Sequence, residues 1–252
     1  MRGDWHVHTR FSLDSDAPVR EMLDRAVALK MTDICFTDHY DMFFLDEGFT
    51  FDVDEYFRVM QEYREEYRDR IRVHIGVELG LDTEHTAEIG EFAKSWPFEY
   101  IIGSVHKLFE KDPYERADYD CTDEEFYRAY FLRCAECIRA NDCFDVFGHL
   151  DYVVRYGYSK AEHYSYAAYK REIDEILKAL IEKNIPLEVN TAGLAKGVGF
   201  AHPHPDVLKR YIELGGRQYN MGSDAHDAAH LGWGFEETEK ALNKLVFLQS
   251  IR

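Results

Sequence analysis

The chain has 252 residues, a formal net charge of −18 at pH 7 and 46% hydrophobic residues. This length fits one domain with a substantial core, and the acidic balance argues against broad electrostatic binding of nucleic acid or of anionic membranes. No apolar stretch approaches the roughly 18 residues that a membrane span needs, and no charged-then-apolar leader precedes the first strand. We therefore expect a single domain over residues 1–252 in a cytoplasmic protein.

Apolar runs typical of strands alternate with amphipathic patterns typical of helices along the whole chain. The strand-like runs cover residues 4–8, 32–37, 72–79, 100–105, 144–148, 185–189 and 218–223. The helical patterns cover residues 18–29, 53–68, 124–140, 166–183, 204–214 and 235–247. This alternation predicts an α/β fold with a parallel sheet.

The first strand carries His6 and His8. In a strand, residues two apart point to the same side, about 6.6–6.8 Å apart along the backbone. Two imidazoles placed in this way can converge on one ion, which neutral imidazole nitrogens bind at about 2.0–2.1 Å. A chance surface pair is the alternative at this point.

The later strand-like runs end in the same kind of residue. Polar or ionisable side chains at or just after these ends are Asp38, His39, Glu78, His106, His149, Asn190, Asp224 and His226. In a closed (β/α) barrel the chemistry collects at the C-terminal ends of the strands. The recurrence therefore predicts a barrel whose first and last strands meet around a metal centre.

Five sequence motifs carry a family resemblance. They are His-Thr-Arg-Phe-Ser-Leu-Asp-Ser-Asp (8–16), Phe-Thr-Asp-His-Tyr (36–40), Gly-Val-Glu-Leu-Gly (76–80), Ile-Ile-Gly-Ser-Val-His (101–106) and Gly-His-Leu-Asp-Tyr-Val-Val-Arg-Tyr-Gly (148–157). In this order the chain resembles the PHP (polymerase and histidinol phosphatase) metal-dependent phosphoesterases, in their histidinol-phosphatase branch. The resemblance implies a distorted seven-stranded, TIM-like (β/α) barrel that holds up to three divalent ions of zinc, iron or manganese.

The resemblance also implies a ligand set for each ion. The first set is His6, His8, Glu78 and Asp224; the second is Glu78, His106 and His149; the third is Asp14, His39 and His226. A carboxylate such as Glu78 can bridge two ions about 3.5–4 Å apart. Asp14 stands where some relatives have histidine, and an oxygen ligand favours manganese or iron relative to zinc. Asp16 is the alternative for the role of Asp14.

The function implied is hydrolysis of a phosphate monoester, L-histidinol phosphate first, through attack of a hydroxide that bridges two ions. Glu78, Asp224 and His226 are the predicted catalytic residues, and Asp224 and His226, or the third ion, are candidates for assisting the leaving oxygen. Arg155 is the predicted phosphate-binding residue and Lys107 the second candidate. An ordinary surface arginine is the alternative for Arg155.

Two other functions stay open. The nearer one is a phosphoesterase of the same fold that acts on another small phosphate, such as a nucleotide or sugar phosphate. The other is a non-catalytic PHP module that binds metal for structure or regulation. A small phosphorylated molecule is the expected partner, without nucleic acid or membrane, and no heptad pattern predicts an oligomeric state.

Several residues near the predicted ligands receive supporting roles. Asp38 and Asp151 fit partners that orient an imidazole, or residues that cap a helix. His202 and His204 are predicted to lie in a loop and at a helix start, because prolines follow both. The aromatic residues near strand ends that could shape a pocket are Tyr40, Phe43, Phe44 and Trp233. The five cysteines, including Cys134 and Cys137 in a helical pattern, are expected to be reduced thiols.

Overall fold

The predicted strands form one parallel sheet in the computed structural model, which describes residues 3–44 and 49–250. The strands are β1 (Gly3–Val7), β2 (Asp33–Phe36), β3 (His39–Tyr40), β4 (Arg72–Gly80), β5 (Tyr100–Ser104), β6 (Val146–Phe147), β7 (Leu187–Asn190) and β8 (Tyr219–Gly222). Their spatial order is β1-β2-β4-β5-β6-β7-β8, and β3 pairs with the outer part of β4 beyond β2. β2 and β3 therefore act as one interrupted strand of a seven-stranded wall.

The first and last strands meet and nearly close the wall into a barrel. The His8 amide donates to the Ala225 carbonyl at 2.9 Å, and the Asp224 amide donates to the His6 carbonyl at 2.8 Å. Val7 and Ala225 form a parallel bridge between the two segments. The predicted seven-stranded (β/α) barrel is confirmed.

The helices lie between the strands. They are α1 (Val19–Ala28), α2 (Val53–Tyr67), α3 (Thr86–Ser95), α4 (Asp123–Ala140), α5 (Lys170–Glu182), α6 (Ala192–Ala195), α7 (Pro205–Glu213) and α8 (Phe235–Ser250). The sequence analysis missed α3, where only Ile89 and Ala93 are buried and the apolar periodicity is correspondingly weak. Within residues 3–44 and 49–250, no helix combines the length and apolarity needed to cross a membrane.

Local sequence signals fix several helix starts. Thr122 and Glu125 form a reciprocal capping box at α4, and Asp52 accepts from the Glu55 amide at the start of α2. His204 caps α7 ahead of Pro205, which confirms the predicted helix start. The predicted helix 166–183 begins instead as a 3₁₀ turn over Tyr166–Tyr169, and α5 follows it.

Among the described residues, three apolar clusters pack the helices against the outside of the barrel. One joins α1 and α2 to β1, β2 and β4, another joins α4 and α5 to β6 and β7, and a small one joins α3 to β4. A fourth cluster, of Cys35, Tyr100, Ile102 and Val146 with Trp5, links β2 to β5, which are not neighbours in the sheet, and so fills the barrel interior. All five cysteines are free, as predicted.

Candidate metal centre and its cavity

The predicted ligands meet at the C-terminal end of the barrel. His6, His39 and Glu78 lie within β1, β3 and β4, Asp14 lies in the loop between β1 and α1, and the remaining ligands follow the strand ends closely. His8, His106, His149, Asp224 and His226 belong to this second set. Because all the strands are parallel, their carboxyl ends share one rim, and the side chains converge there.

Glu78 is fully buried at the centre of this convergence. Its Oε2 lies 3.2 Å from His6 Nε2 and 3.0 Å from His39 Nδ1. Its Oε1 lies 3.0 Å from His149 Nε2 and 3.4 Å from His106 Nε2. Each carboxylate oxygen therefore faces a different set of imidazoles, which is the arrangement a bridging ligand needs.

His6, His8 and Asp224 form a second group beside Glu78, with ligand atoms within 4.8 Å of one another. Asp224 Oδ1 lies 3.3 Å from His8 Nε2 and 3.7 Å from His6 Nε2. Glu78, His106 and His149 form a group by the same measure. The structure thus brings together the first two predicted ligand sets.

The third predicted set lies at the rim. His226 Nε2 lies 3.2 Å from Asp14 Oδ2, and His39 Nε2 lies 3.7 Å from the same oxygen. His8, whose ring stacks on His226 at 4.1 Å between centroids, groups with these two histidines. In the described part of the chain Asp16 forms no ion pair with any of these histidines, so Asp14 holds the position for which the two competed.

Hydrogen bonds fix which nitrogen of each inner histidine faces inward. His6 Nδ1 donates to Glu188 Oε1 at 2.6 Å, and His106 Nδ1 donates to Asp41 Oδ2 at 2.8 Å. A carboxylate accepts only, so Nδ1 carries a proton and Nε2 is the nitrogen that faces the cluster, where it can bind a metal ion. Glu188 Oε2 also accepts from the His149 amide at 2.7 Å.

Four of the inward atoms lack hydrogen-bond partners. His6 Nε2, His8 Nε2, His39 Nδ1 and Glu78 Oε2 are buried and make no hydrogen bond among the described residues. Unpartnered polar atoms are costly to bury, and this set of imidazole nitrogens and a carboxylate oxygen is what first-row divalent ions bind. The residues therefore fit a metal centre.

The charges of the cluster favour cations. Burial alone would raise the pKa of Glu78, but the facing His6, His39 and His106 hold it well below its usual range. The pKa of Asp224 is lowered in the same way against burial, chiefly by His6 and His8. Both carboxylates are accordingly anionic at neutral pH, as ligands of divalent ions must be.

Glu188 and Asp41 were missed by the sequence analysis. Glu188 precedes Asn190 by two residues on β7, the same spacing as that between His6 on β1 and His8 just beyond it, and an acidic residue inside an apolar strand was the available signal. Gly222 leaves room for it, since a Cβ there would lie 2.3 Å from His6 Cβ and 2.7 Å from Glu188 Oε1. The sequence around Asp41 has no comparable feature that would identify it as the partner of a histidine.

Of the two residues predicted to orient an imidazole, Asp38 contacts its histidine through a serine and Asp151 contacts its histidine directly. Asp38 accepts from Ser12 Oγ at 2.8 Å, and Ser12 Oγ contacts His8 Nδ1 at 3.0 Å, so Asp38 reaches an imidazole through one serine. Asp151 binds His202 Nδ1 directly at 2.5 Å. Both residues are fully buried.

A cavity of about 450 Å³ opens over the cluster, within the roughly 300–1,000 Å³ range of small-molecule sites. Its walls are formed by Asp14, His39, Asp41, Phe44, Phe49, His106, Asp112, Tyr114, His149, Tyr152, Arg155, Tyr156, Lys196, Asp224 and His226. Arg155 lines this cavity with its side chain 8% exposed, so it is not an ordinary surface arginine, and its Nη2 lies 3.2 Å from Asp224 Oδ2.

Lys107 is not among these lining residues. Its ammonium lies 2.9 Å from Asp82 and 2.8 Å from Glu110, in a smaller recess next to Phe43. Two carboxylates thus already neutralise the charge that would attract a phosphate. Of the predicted pocket-shaping aromatic residues Phe44 lines the cavity, whereas Tyr40 stacks on Phe92 and is not among the lining residues. Trp233 is 52% exposed.

The PHP domain family model matches residues 4–192, which is more than half of the chain. The chain belongs to the PHP domain family. The PHP barrel is 34% identical over 227 residues to the histidinol-phosphatase of Lactococcus lactis subsp. lactis, covering 89% of this chain and 84% of the relative. It is 35% identical over 244 residues to the probable histidinol-phosphatase of Clostridium acetobutylicum, covering 94% and 91%.

Solved structures share the PHP fold. The crystal structure of histidinol phosphate phosphatase from Lactococcus lactis subsp. lactis, complexed with zinc, L-histidinol and phosphate, has a TM-score of 0.89 and 32% identity and covers 97% of this chain and 93% of that one. A structure from Listeria monocytogenes, at 19% identity and a TM-score of 0.79, shares the fold. The superposition covers 94% of this chain and 99% of the Listeria chain.

Proposed function

We propose that this PHP barrel is a metal-dependent phosphomonoesterase that hydrolyses L-histidinol phosphate to L-histidinol and phosphate. The observation that carries the proposal is the convergence on Glu78 of imidazole and carboxylate groups with unpartnered inward atoms, at the floor of a cavity that an arginine also lines. The solved relative that holds zinc, L-histidinol and phosphate supports the choice of substrate.

Metal ions would occupy two positions that share Glu78. His6, His8 and Asp224 would hold one, and His106 and His149 the other. His39, His226 and Asp14 would hold a third at the rim, with zinc, iron or manganese as candidates. When bound, such ions polarise phosphoryl oxygens and lower the pKa of water from 15.7 to about 7. Glu188 and Asp41 orient the imidazoles that do this binding.

Arg155 would bind the phosphoryl group of the substrate. Its side chain is 8% exposed and lines the cavity, and Asp224 lies between it and His8. The guanidinium keeps its positive charge at any physiological pH, and its Nη1, which has no hydrogen-bond partner among the described residues, can donate to a phosphate oxygen. Asp224 and His226 both line the same cavity. Because Asp224 is anionic and has no proton to give, we assign assistance of the leaving oxygen to His226 or to the third ion that it would help to hold.

The aromatic and acidic residues of the cavity wall would receive the organic part of the substrate. Phe44, Tyr152 and Tyr156 offer ring faces to an imidazole, and Asp112 offers a carboxylate to an ammonium group. Asp112 Oδ1 accepts from the Tyr114 amide at 2.8 Å, and its Oδ2 makes no protein hydrogen bond among the described residues. An aromatic, anionic wall suits a cationic imidazole amine better than it suits a nucleotide or sugar phosphate.

We infer that the domain extends over residues 1–252, beyond the segment that the family model matches. β8 closes the barrel against β1, and Asp224 and His226 follow β8. A chain ending near residue 192 would lose both side chains and leave the edge of β1 open.

Steady-state hydrolysis of L-histidinol phosphate, beside a panel of nucleotide and sugar phosphates, tests this function, with metal content measured on the same preparation. We expect kcat/KM near or above about 10⁴ M⁻¹s⁻¹ for histidinol phosphate alone. Arg155→Ala should raise KM at unchanged metal content, whereas the exposed control Arg171→Ala should match the wild type. Uniformly poor rates with metal bound would overturn the proposed substrate, and an absence of turnover for every ester would overturn the enzyme.

A further inference from the structure

Arg155 is held from behind by a buried histidine that the metal centre does not use. Its Nε lies 3.0 Å from His202 Nε2, and its Nη2 lies 3.3 Å from Asn190 Oδ1. His202 is fully buried, and its backbone pairs with Asn190 through two hydrogen bonds of 2.7 Å. The loop before α7 is thereby fastened to the end of β7, and His202 is placed behind the guanidinium.

The hydrogen bonds define one tautomer of His202. Asp151, which is also fully buried, accepts a hydrogen bond from His202 Nδ1. The proton of the neutral ring is therefore on Nδ1, and Nε2 keeps a lone pair. That lone pair accepts from Arg155 Nε, which can only donate. Asp151 is itself fixed, because its Oδ2 accepts from the Tyr164 hydroxyl at 2.9 Å and from the His204 amide at 2.8 Å.

This arrangement uses one side of the guanidinium and leaves the other available. Nε is committed to His202, Nη2 to Asn190 and Asp224, and Nη1 has no hydrogen-bond partner among the described residues. Since Arg155 lines the cavity, Nη1 is the donor available to a ligand there. An unconstrained arginine side chain populates many rotamers. Because three contacts already hold Arg155 in one of them, less side-chain entropy is lost when phosphate binds.

We propose that His202, oriented by Asp151, is a positioning residue that fixes the guanidinium of Arg155 for phosphate binding. The proposal rests on the proposed function, in which Arg155 touches the phosphoryl group. His202 itself touches neither the substrate nor the metal ligands and acts through Arg155.

A double-mutant cycle tests it on the metal-loaded protein. His202→Phe keeps a ring of similar size but removes the acceptor, and we expect it to weaken inorganic phosphate binding and raise KM by roughly 10- to 100-fold, since a misplacement of 1 Å can cost about 100-fold. In the Arg155→Ala background the same substitution should change either quantity by less than about twofold, because residues that act through one another are not additive. An equal penalty in both backgrounds would overturn the proposal.

Two further variants separate positioning from damage to the fold. His202→Gln offers an acceptor and a donor on one side chain and should restore part of the phosphate affinity lost in His202→Phe. Tyr166→Phe removes a tyrosine–carboxylate hydrogen bond to Asp174, outside the chain of contacts that joins Asp151, His202 and Arg155, so phosphate binding should match the wild type even if the melting temperature falls. A Tyr166→Phe loss as large as that of His202→Phe would contradict a specific role for His202.

Calorimetric measurement of phosphate binding distinguishes a failure of the positioning role from a failure of the proposed function. If the wild-type protein binds phosphate and hydrolyses its esters but the cycle is additive, only the positioning role fails. If the metal-loaded wild type neither binds phosphate nor hydrolyses any ester, the proposed function fails with it.

Discussion

The two halves of the barrel contribute to the site in different ways. The first half, from β1 to β4, supplies His6, His39 and Glu78 from within strands. The second half, from β5 to β8, supplies His106, His149 and Asp224 from positions just beyond short strands. The proposed metal centre is shared between the halves, so neither half contains a complete set of the predicted ligands.

The cavity walls belong mostly to the second half. Long segments follow β5, β6 and β7 before the next long helix, over residues 105–122, 148–169 and 191–204. They carry Asp112, Tyr156 and Lys196 on the wall, and Arg155 with the buried His202 behind it. Strand ends thus set where metal can bind, while loops of the second half set which molecule can approach it.

The largest effect should come from removing the residue that joins the halves. Glu78→Gln replaces the shared carboxylate by a neutral amide, and we expect kcat/KM to fall at least about 10³-fold, because several kcal/mol of charge stabilisation depend on the ions it holds. Metal analysis should show less bound metal per chain. Full activity with full metal content would show that the halves need no shared ligand.

Glu188→Gln should have the next largest effect, on metal affinity. The amide cannot serve as the anionic acceptor for His6 Nδ1 while also accepting from the His149 amide, and loss of such an outer partner lowers metal affinity about 10- to 100-fold. Competition with a chelator measures this loss of metal affinity. Glu162→Gln, an exposed change in the second half, is the control and should leave affinity unchanged.

Asp112→Asn should change the choice of substrate and leave the metal centre intact. We expect kcat/KM for histidinol phosphate to fall roughly tenfold, about 1.4 kcal/mol for one charge-assisted hydrogen bond. Hydrolysis of p-nitrophenyl phosphate, which has no ammonium group, should be unchanged. Asp120→Asn, exposed in the same segment, is the control, and an equal loss for both substrates would remove Asp112 from substrate recognition.

The smallest effect concerns the frame of the second half. Arg210 on α7 binds Asp174 on α5 through two hydrogen bonds of 2.9 and 2.8 Å. Burial would raise the pKa of Asp174, but Arg210 and Tyr166 hold it below the usual 3.8. Asp174→Asn should lower the free energy of unfolding by about 1–2 kcal/mol and leave activity unchanged.

The pH dependence of this difference follows from the direction of the shift. A lowered pKa in the folded state stabilises the protein fully above 3.8, and that contribution disappears as pH falls through the folded-state value. Wild type and Asp174→Asn should therefore converge in urea melts as the pH is lowered below about 4. Asp69→Asn, 89% exposed, serves as the control, and a difference that grew with acidity would contradict the assignment.

The sequence predicted which side chains would converge at the rim of the barrel because these residues repeat one local pattern. His6 and His8, Glu78 and Asp224 each stand at or just after an apolar run, and strand periodicity together with barrel topology places such residues on one rim. The order of motifs then indicated the family. Helix α3 escaped because only two of its residues are buried, which leaves little periodic signal.

What the sequence determined by itself was therefore the barrel, its strand ends and the kind of residue found there. Only the tertiary structure decided that Glu188 and Asp41 orient His6 and His106, that Lys107 is occupied by Asp82 and Glu110, and that His202 lies behind Arg155. The reason is physical. Strand patterning depends on neighbours along the chain, whereas these contacts join residues far apart in sequence, such as His6 and Glu188, that only the closed barrel brings within hydrogen-bond distance.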